Sequence, residues 1–250
     1  MINIQQVSKS FDVSREESLP VLNNLSLQIK HGEYLILIGS NGSGKSTLLN
    51  LIAGTLSPDN GSVALDSQVT SDMAEYQLAS LLSRVFQDPK AGTASDLTIL
   101  ENFRLAYLRS KPKRLHLGIN PRFRQLVKTH LSELQMGLEH QLNKPVGQLS
   151  GGQRQALTIS MSMINPPRYL LMDEPTAALD PETATKVLKI ADHYIHKHDI
   201  TTIHITHNLK EALEYGNRLI LLKNGSVAKD LNNKQKSSLT LKEMLGWYHQ

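Results

Sequence analysis

The sequence predicts an α/β fold: a parallel-sheet core, an antiparallel β subdomain at the N-terminus and a helical insertion in mid-chain. Three observations carry this. Strand-sized apolar runs at Tyr34–Ile38, Tyr169–Met172, Thr201–Ile205 and Arg218–Leu222 alternate with helical segments, the pattern of a doubly wound parallel sheet. Alternation at Leu25, Leu27 and Ile29, after a β-rich run Ile2–Val7, signals an antiparallel sheet with one wet face. From about residue 89 to 164 no strand pattern appears, while helix-capping signatures do.

Each element has its own signal. The unbroken run Tyr34-Leu35-Ile36-Leu37-Ile38 suits a strand buried on both faces. A Gly-rich turn follows it, and Ser46–Ala53 reads as a helix stopped by Gly54. Thr98 and Glu101 have capping-box spacing ahead of a helix to about Arg109, and Asn120-Pro121 sets a cap before a proline at the first helical position. Arg154–Met163 is helical, and Asp180-Pro181 opens the longest helix with a second cap–proline pair. Asn224-Gly225 is a hairpin turn into Ser226–Lys229, and Thr240–Trp247 a short terminal helix. We expect one domain over 1–250: a core with the antiparallel subdomain at 1–88 and 165–235, a helical subdomain at 89–164, and a C-terminal helix at 236–250.

Composition excludes several chemistries. The 250 residues are 40% hydrophobic, enough for a substantial interior, and contain no cysteine. Disulfide frameworks, thiolate metal sites and thiol catalysis are therefore ruled out, and a reducing compartment fits. The N-terminus has neither the charged nor the apolar region of a secretion signal, and no window approaches the roughly 20 apolar residues of a membrane span. The net charge of +4 suits nucleic acid, anionic lipid, a phosphate ligand or plain solvated surface alike. The basic stretch Ser110–Arg124, with Lys111, Lys113, Arg114, Arg122 and Arg124, reads as a solvated face or as a membrane or partner contact.

The strongest chemical signal is Gly39-Ser40-Asn41-Gly42-Ser43-Gly44-Lys45-Ser46-Thr47, a P-loop placed between a buried strand and a helix. Its glycines let backbone N–H groups point into one concavity at a helix N-terminus, Lys45 can reach β- and γ-phosphates, and Ser46 offers a hydroxyl to Mg²⁺. Phosphoryl transfer also needs carboxylates, and the strand Tyr169–Met172 runs into Asp173 and Glu174. Strand alternation would put these two on different faces, one for the metal shell and one toward the γ-phosphate. The competing reading is a pair that caps the next helix. Leu149-Ser150-Gly151-Gly152-Gln153, before a helical run, is a second helix-terminal anion site. It argues against P-loop kinases and small GTPases. If both anion sites bind one nucleotide, a second copy of the chain must bring one of them.

With Val85-Phe86-Gln87-Asp88-Pro89, Ala177-Ala178-Leu179-Asp180 and Ile205-Thr206-His207 in the same order, the chain resembles the ATP-binding cassette ATPases, the nucleotide-binding subunits of ABC transporters, over nearly its whole length. That resemblance implies a P-loop NTPase (RecA-like) core, with ATP and Mg²⁺ as ligands. It makes Glu174 the general base or water-positioning residue and His207 a γ-phosphate contact and coordinator of Glu174. Gln87 would join the metal and water shell with Ser46 and Asp173. Ser150, Gly151, Gly152 and Gln153 would clasp the γ-phosphate held by the other protomer, and Asp180 would line the dimer seam. Phe11 fits the adenine-stacking aromatic, against a reading as packed core. His204 and the His193, His196, His198 group are expected to face solvent or pack without a role. Because Lys45, Gln87, Glu174 and His207 are all present, a competent homodimer is expected.

The resemblance further implies polytopic permease subunits as partners, a solute-binding protein, no nucleic acid, and a cytoplasmic location on the inner face of the cell membrane through the permease. Phe86–Thr93 with Leu97–Asn102, and Thr206-His207-Asn208 with Tyr215–Leu219, look most similar to cassettes of bacterial uptake systems. Among these, the similarity is to binding-protein-dependent import of amino acids, aromatic ones such as tryptophan and tyrosine included. The alternatives are a cassette of the lipoprotein-release or macrolide-export type, and a soluble cassette ATPase acting on nucleic acid or ribosomes. Against the last, no sustained heptads separate the P-loop from the signature string.

Overall fold

A computed structural model describes residues 1–12, 18–109, 111, 118–177 and 179–247. In chain order its elements are β1 (Ile2–Asp12), β2 (Ser18–Ile29), β3 (Tyr34–Ile38), α1 (Lys45–Ile52), β4 (Asn60–Leu65), β5 (Gln68–Val69), α2 (Glu75–Leu81), β6 (Leu82–Val85), α3 (Ile99–Leu108) and α4 (Pro121–Ser132). There follow α5 (Gly151–Met163), β7 (Tyr169–Asp173), α6 (Pro181–Lys197), β8 (Thr201–Ile205), α7 (Leu209–Glu214), β9 (Arg218–Lys223), β10 (Ser226–Leu231), α8 (Asn233–Ser237) and α9 (Leu241–Gly246). The chain divides into two units, Met1–Leu78 with Thr201–Gln250, and Ala79–Ile200.

The first unit holds two sheets. In the antiparallel one, ordered β2-β1-β4-β5, alternation decides which face is dry: Leu25, Leu27 and Ile29 are buried while Ser26 and Gln28 between them are exposed. Ile4 stands opposite Leu27 on one side and Val63 on the other. In the second sheet β3 runs parallel to both β8 and β9, with Leu37 opposite Ile205 and Ile220. Every residue of β3 and of β8 is buried, as parallel strands covered on both faces require. β10 returns antiparallel to β9 through Asn224-Gly225, both with positive φ, the conformation a tight hairpin asks for.

The second unit pairs β6 parallel to β7, and among its described residues the other elements are helices. Its centre is α5, where every residue from Arg154 to Met163 is buried. The expected caps form: Thr98 and Glu101 make a reciprocal capping box for α3, and Asn120 and Asp180 cap α4 and α6 ahead of their prolines.

The structure adds and shifts some elements. β4, β5, α2 and β6 fall between residues 60 and 85, a stretch without a clear periodic pattern, because their short strands are specified by cross-strand partners. α5 begins at Gly151, so Gly151, Gly152 and Gln153 form its first turn instead of preceding it. Near the C-terminus, α8 and α9 stand as two short helices, each with its own capping box from Asn232 and Thr240. Among the described residues no helix is long and apolar enough to cross a membrane.

Candidate nucleotide-binding and catalytic residues

The loop between β3 and α1 is shaped by close approach. Gly39 has φ 158°, and a Cβ there would lie 2.3 Å from the Leu222 carbonyl oxygen. Gly44, the N-cap of α1 at φ 100°, would place one 2.7 Å from Leu22 and 2.9 Å from the Val21 carbonyl oxygen. Neither position admits a side chain, so the loop is pinned at both ends while Asn41 and Gly42 stay exposed. Lys45, largely buried, arches back and donates from Nζ to the carbonyl oxygens of Gly39 (2.8 Å) and Ser40 (2.9 Å). Both acceptors are neutral and can be exchanged for phosphate oxygens. Ser43 Oγ is buried without a hydrogen-bond partner, and α1 has no acidic residue in its first turn. An orphaned hydroxyl beside an N-terminus with no competing carboxylate suits an anionic ligand. Ser46 and Thr47 follow in that first turn, with Ser46 exposed.

Phe11, next to last in β1 and opposite Leu19, is 41% exposed, with Lys9 Nζ 5.8 Å from the ring centroid. It is therefore not packed core, and the Lys9 ammonium lies over its ring.

His207 follows β8, and its neighbours on both sides are tied down. Thr206 Oγ1 donates to Glu211 Oε2 at 2.7 Å and accepts from the Asn208 N–H at 3.0 Å. The Asn208 amide donates to Glu211 Oε1 at 3.1 Å, while its Oδ1 accepts from the Lys210 N–H at the start of α7. Inside β8, His204 is fully buried, with the Tyr34 hydroxyl 3.2 Å from Nδ1. Burial pushes His204 down to about 3, so it is neutral at neutral pH.

In the second unit, Asp173 is the last residue of β7 and is buried. Arg84 on β6 donates from Nη2 to its Oδ2 at 3.1 Å. Glu174 leaves the strand with φ 46°, so strand alternation stops at Asp173 and does not set the glutamate's direction. A left-handed glutamate costs of order 1 kcal/mol, and strain of this kind concentrates at functional positions. Gln87, 87 residues earlier in the chain, donates from Nε2 to Glu174 Oε2 at 3.2 Å.

Ser150 caps α5 in a reciprocal box: its Oγ accepts from the Gln153 N–H and Gln153 Oε1 accepts from the Ser150 N–H, each at 3.2 Å. Ser150 and Gly151 are exposed at an N-terminus that has no acidic residue in its first turn. Asp180 caps α6 by accepting from the Thr183 N–H at 3.0 Å, and that backbone bond lowers its carboxyl. Ala178 lies outside the described residues, as do Ser110, Lys113 and Arg114 of the basic stretch. His193, His196 and His198 are exposed, and His130 and His198 stack on Tyr194 with centroids 6.0 and 6.1 Å apart.

Among the described residues no group of three or more His, Cys, Asp or Glu is placed to hold a metal. Ser46 in the first unit, and Gln87 and Asp173 in the second, each carry an oxygen of the hard kind that Mg²⁺ takes. Sequence reading missed Arg84, the partner of Asp173, and Glu211, the anchor of the His207 segment. Glu211 had a faint signal as an acid in the first turn of a helix, while Arg84 had none.

Residues 22–177 match the family model described as ABC transporter. The chain is 44% identical over 246 residues to a tyrosine transport ATP-binding protein of Clostridioides difficile, covering 98% of this chain and 97% of that protein. It is 30% identical to a macrolide export ATP-binding/permease protein of Vibrio parahaemolyticus, covering 94% of this chain and 35% of that one. Among solved structures, it resembles the dimeric, post-hydrolysis ATP-binding cassette of Methanocaldococcus jannaschii bound to ADP and Pi, with a TM-score of 0.82 at 30% identity over 93% of this chain and 99% of that one.

Proposed function

The chain is an ATP-hydrolysing cassette of the ABC transporter family, and on that premise we propose that it powers binding-protein-dependent import of amino acids, tyrosine among them. The observation that carries this is end-to-end similarity, at 44% identity, to a tyrosine transport ATP-binding protein. The macrolide-export reading has weaker support, since that match is at 30% identity and spans about a third of the exporter.

The P-loop backbone and Lys45 hold the ATP phosphates, and Phe11 stacks on the adenine. Ser46, Gln87 and Asp173 would hold Mg²⁺, which neutralises charge on the β- and γ-phosphates when bound. Glu174, steadied by the Gln87 amide, orients the attacking water and accepts its proton. His207, fixed through Thr206 and Asn208, donates to the γ-phosphate oxygens. Ser150, Gly151, Gly152 and Gln153 present the N-terminus of α5 to the γ-phosphate on a second copy, with Asp180 at the seam. Closing and opening of two copies drives membrane-embedded permease subunits, which place the cassette at the cytoplasmic face of the membrane. A solute-binding protein delivers the amino acid.

Uptake of labelled tyrosine by cells lacking this chain tests the reading. Uptake is expected to fall and to return with the parent gene but not with Lys45→Ala. Unchanged tyrosine uptake together with lost macrolide resistance would replace it by the export reading.

A further inference from the structure

Gln155, in the second turn of α5, is 1% exposed, and its side-chain amide bridges two separate segments. Nε2 donates to the Phe86 carbonyl oxygen at 3.2 Å and to the Pro175 carbonyl oxygen at 2.8 Å. Each carbonyl belongs to the residue next to one member of the Gln87–Glu174 pair, whose side chains meet at 3.2 Å. Because both acceptors are carbonyls, the NH₂ group must face them, and Oε1 is left buried without a hydrogen-bond partner. An orphaned buried acceptor is costly, a cost set against the two carbonyl oxygens that the NH₂ group satisfies. The amide is kept for what its two donated bonds do.

We propose that Gln155 is a positioning residue that sets the spacing of Gln87 and Glu174 from behind. It rests on the reading of Glu174 and Gln87 as the water-orienting pair. Glu174 sits at a left-handed φ, and a bond to the next residue's carbonyl is a direct way to hold that turn. The same rigid helix begins at Ser150–Gln153, one and a half turns earlier, so a shift of α5 along its axis is transmitted through Gln155 to both carbonyls. The contact assigned to the partner's nucleotide and the carboxylate assigned to the chain's own water thus share one lever.

The test compares ATP turnover and ATP affinity in the purified chain and in Gln155→Met, Gln155→Asn and Glu174→Gln. Gln155→Met keeps length without a donor. Gln155→Asn keeps the amide but is one methylene too short to reach both carbonyls, and it carries the test if the methionine variant does not fold. Loss of the amide's two tethering bonds is expected to lower kcat about tenfold, with ATP affinity within about twofold of the parent. In a Gln87→Ala background Gln155→Met should cost clearly less than in the parent, because it acts through that pair. A folded Gln155 variant with parental kcat, or a loss of affinity matching the loss of kcat, would overturn the proposal. If Glu174→Gln itself turns over like the parent, the fault lies in the reading of Glu174 instead.

Discussion

Lys45 is parked on the carbonyls of Gly39 and Ser40, and an ammonium bonded to its own loop exchanges those bonds for phosphate at little cost in order. We expect Lys45→Ala to lose at least about tenfold in ATP affinity, the value of one charge-assisted contact, as read by titration calorimetry. Unchanged affinity would remove the P-loop assignment. His204 supplies a pH dependence. An unfolded histidine takes its proton near 6.5, but buried His204 does so only near 3, so the folded state is increasingly disfavoured as pH falls below 6.5. That loss reaches about 2 kcal/mol by pH 5, at about 1.4 kcal/mol per unit. Urea midpoints at pH 7.5 and 5.0 should converge in His204→Phe relative to the parent. At this scale the P-loop, the carboxylate pair and the signature string were legible because each is contiguous. The bond from Arg84 to Asp173, the bridge by Gln155 and the left-handed Glu174 were not, since side-chain partners far apart in sequence and a backbone angle leave no mark in residue order.

Helix boundaries were the most legible elements, because a cap acts on donors only two or three residues away. The Thr98–Glu101 box, Asn120-Pro121 and Asp180-Pro181 all form where they were expected. Thr98 Oγ1 both accepts from the Glu101 N–H and donates to its carboxylate, so Thr98→Ala is expected to cost about 1 kcal/mol, measured as a lower urea midpoint with ATP affinity unchanged. A midpoint equal to the parent's would mean that α3 is held by its buried face alone. The start of α5 was misjudged because two glycines read as loop, whereas the Ser150–Gln153 box is strong enough to take them into the first turn. β4 and β6 escaped notice for the opposite reason. Their residues pair with β1 and β7, and nothing local singles them out.

For the whole molecule, the decisive feature is that one chain carries two helix starts without an acidic residue in the first turn, α1 after the P-loop and α5 at Ser150, both proposed to hold phosphate. The proposed site is completed by a second copy, a reading supported by the dimeric form of the relative bound to ADP and Pi. The most direct measurement is the mass of Glu174→Gln by light scattering, with and without saturating ATP and Mg²⁺. On the proposed assignment nucleotide binding rests on the P-loop and turnover on the carboxylate, so the variant should be monomeric alone and a stable dimer with ATP, with no phosphate release. A variant that binds ATP yet stays monomeric at saturation would contradict a site shared between two copies.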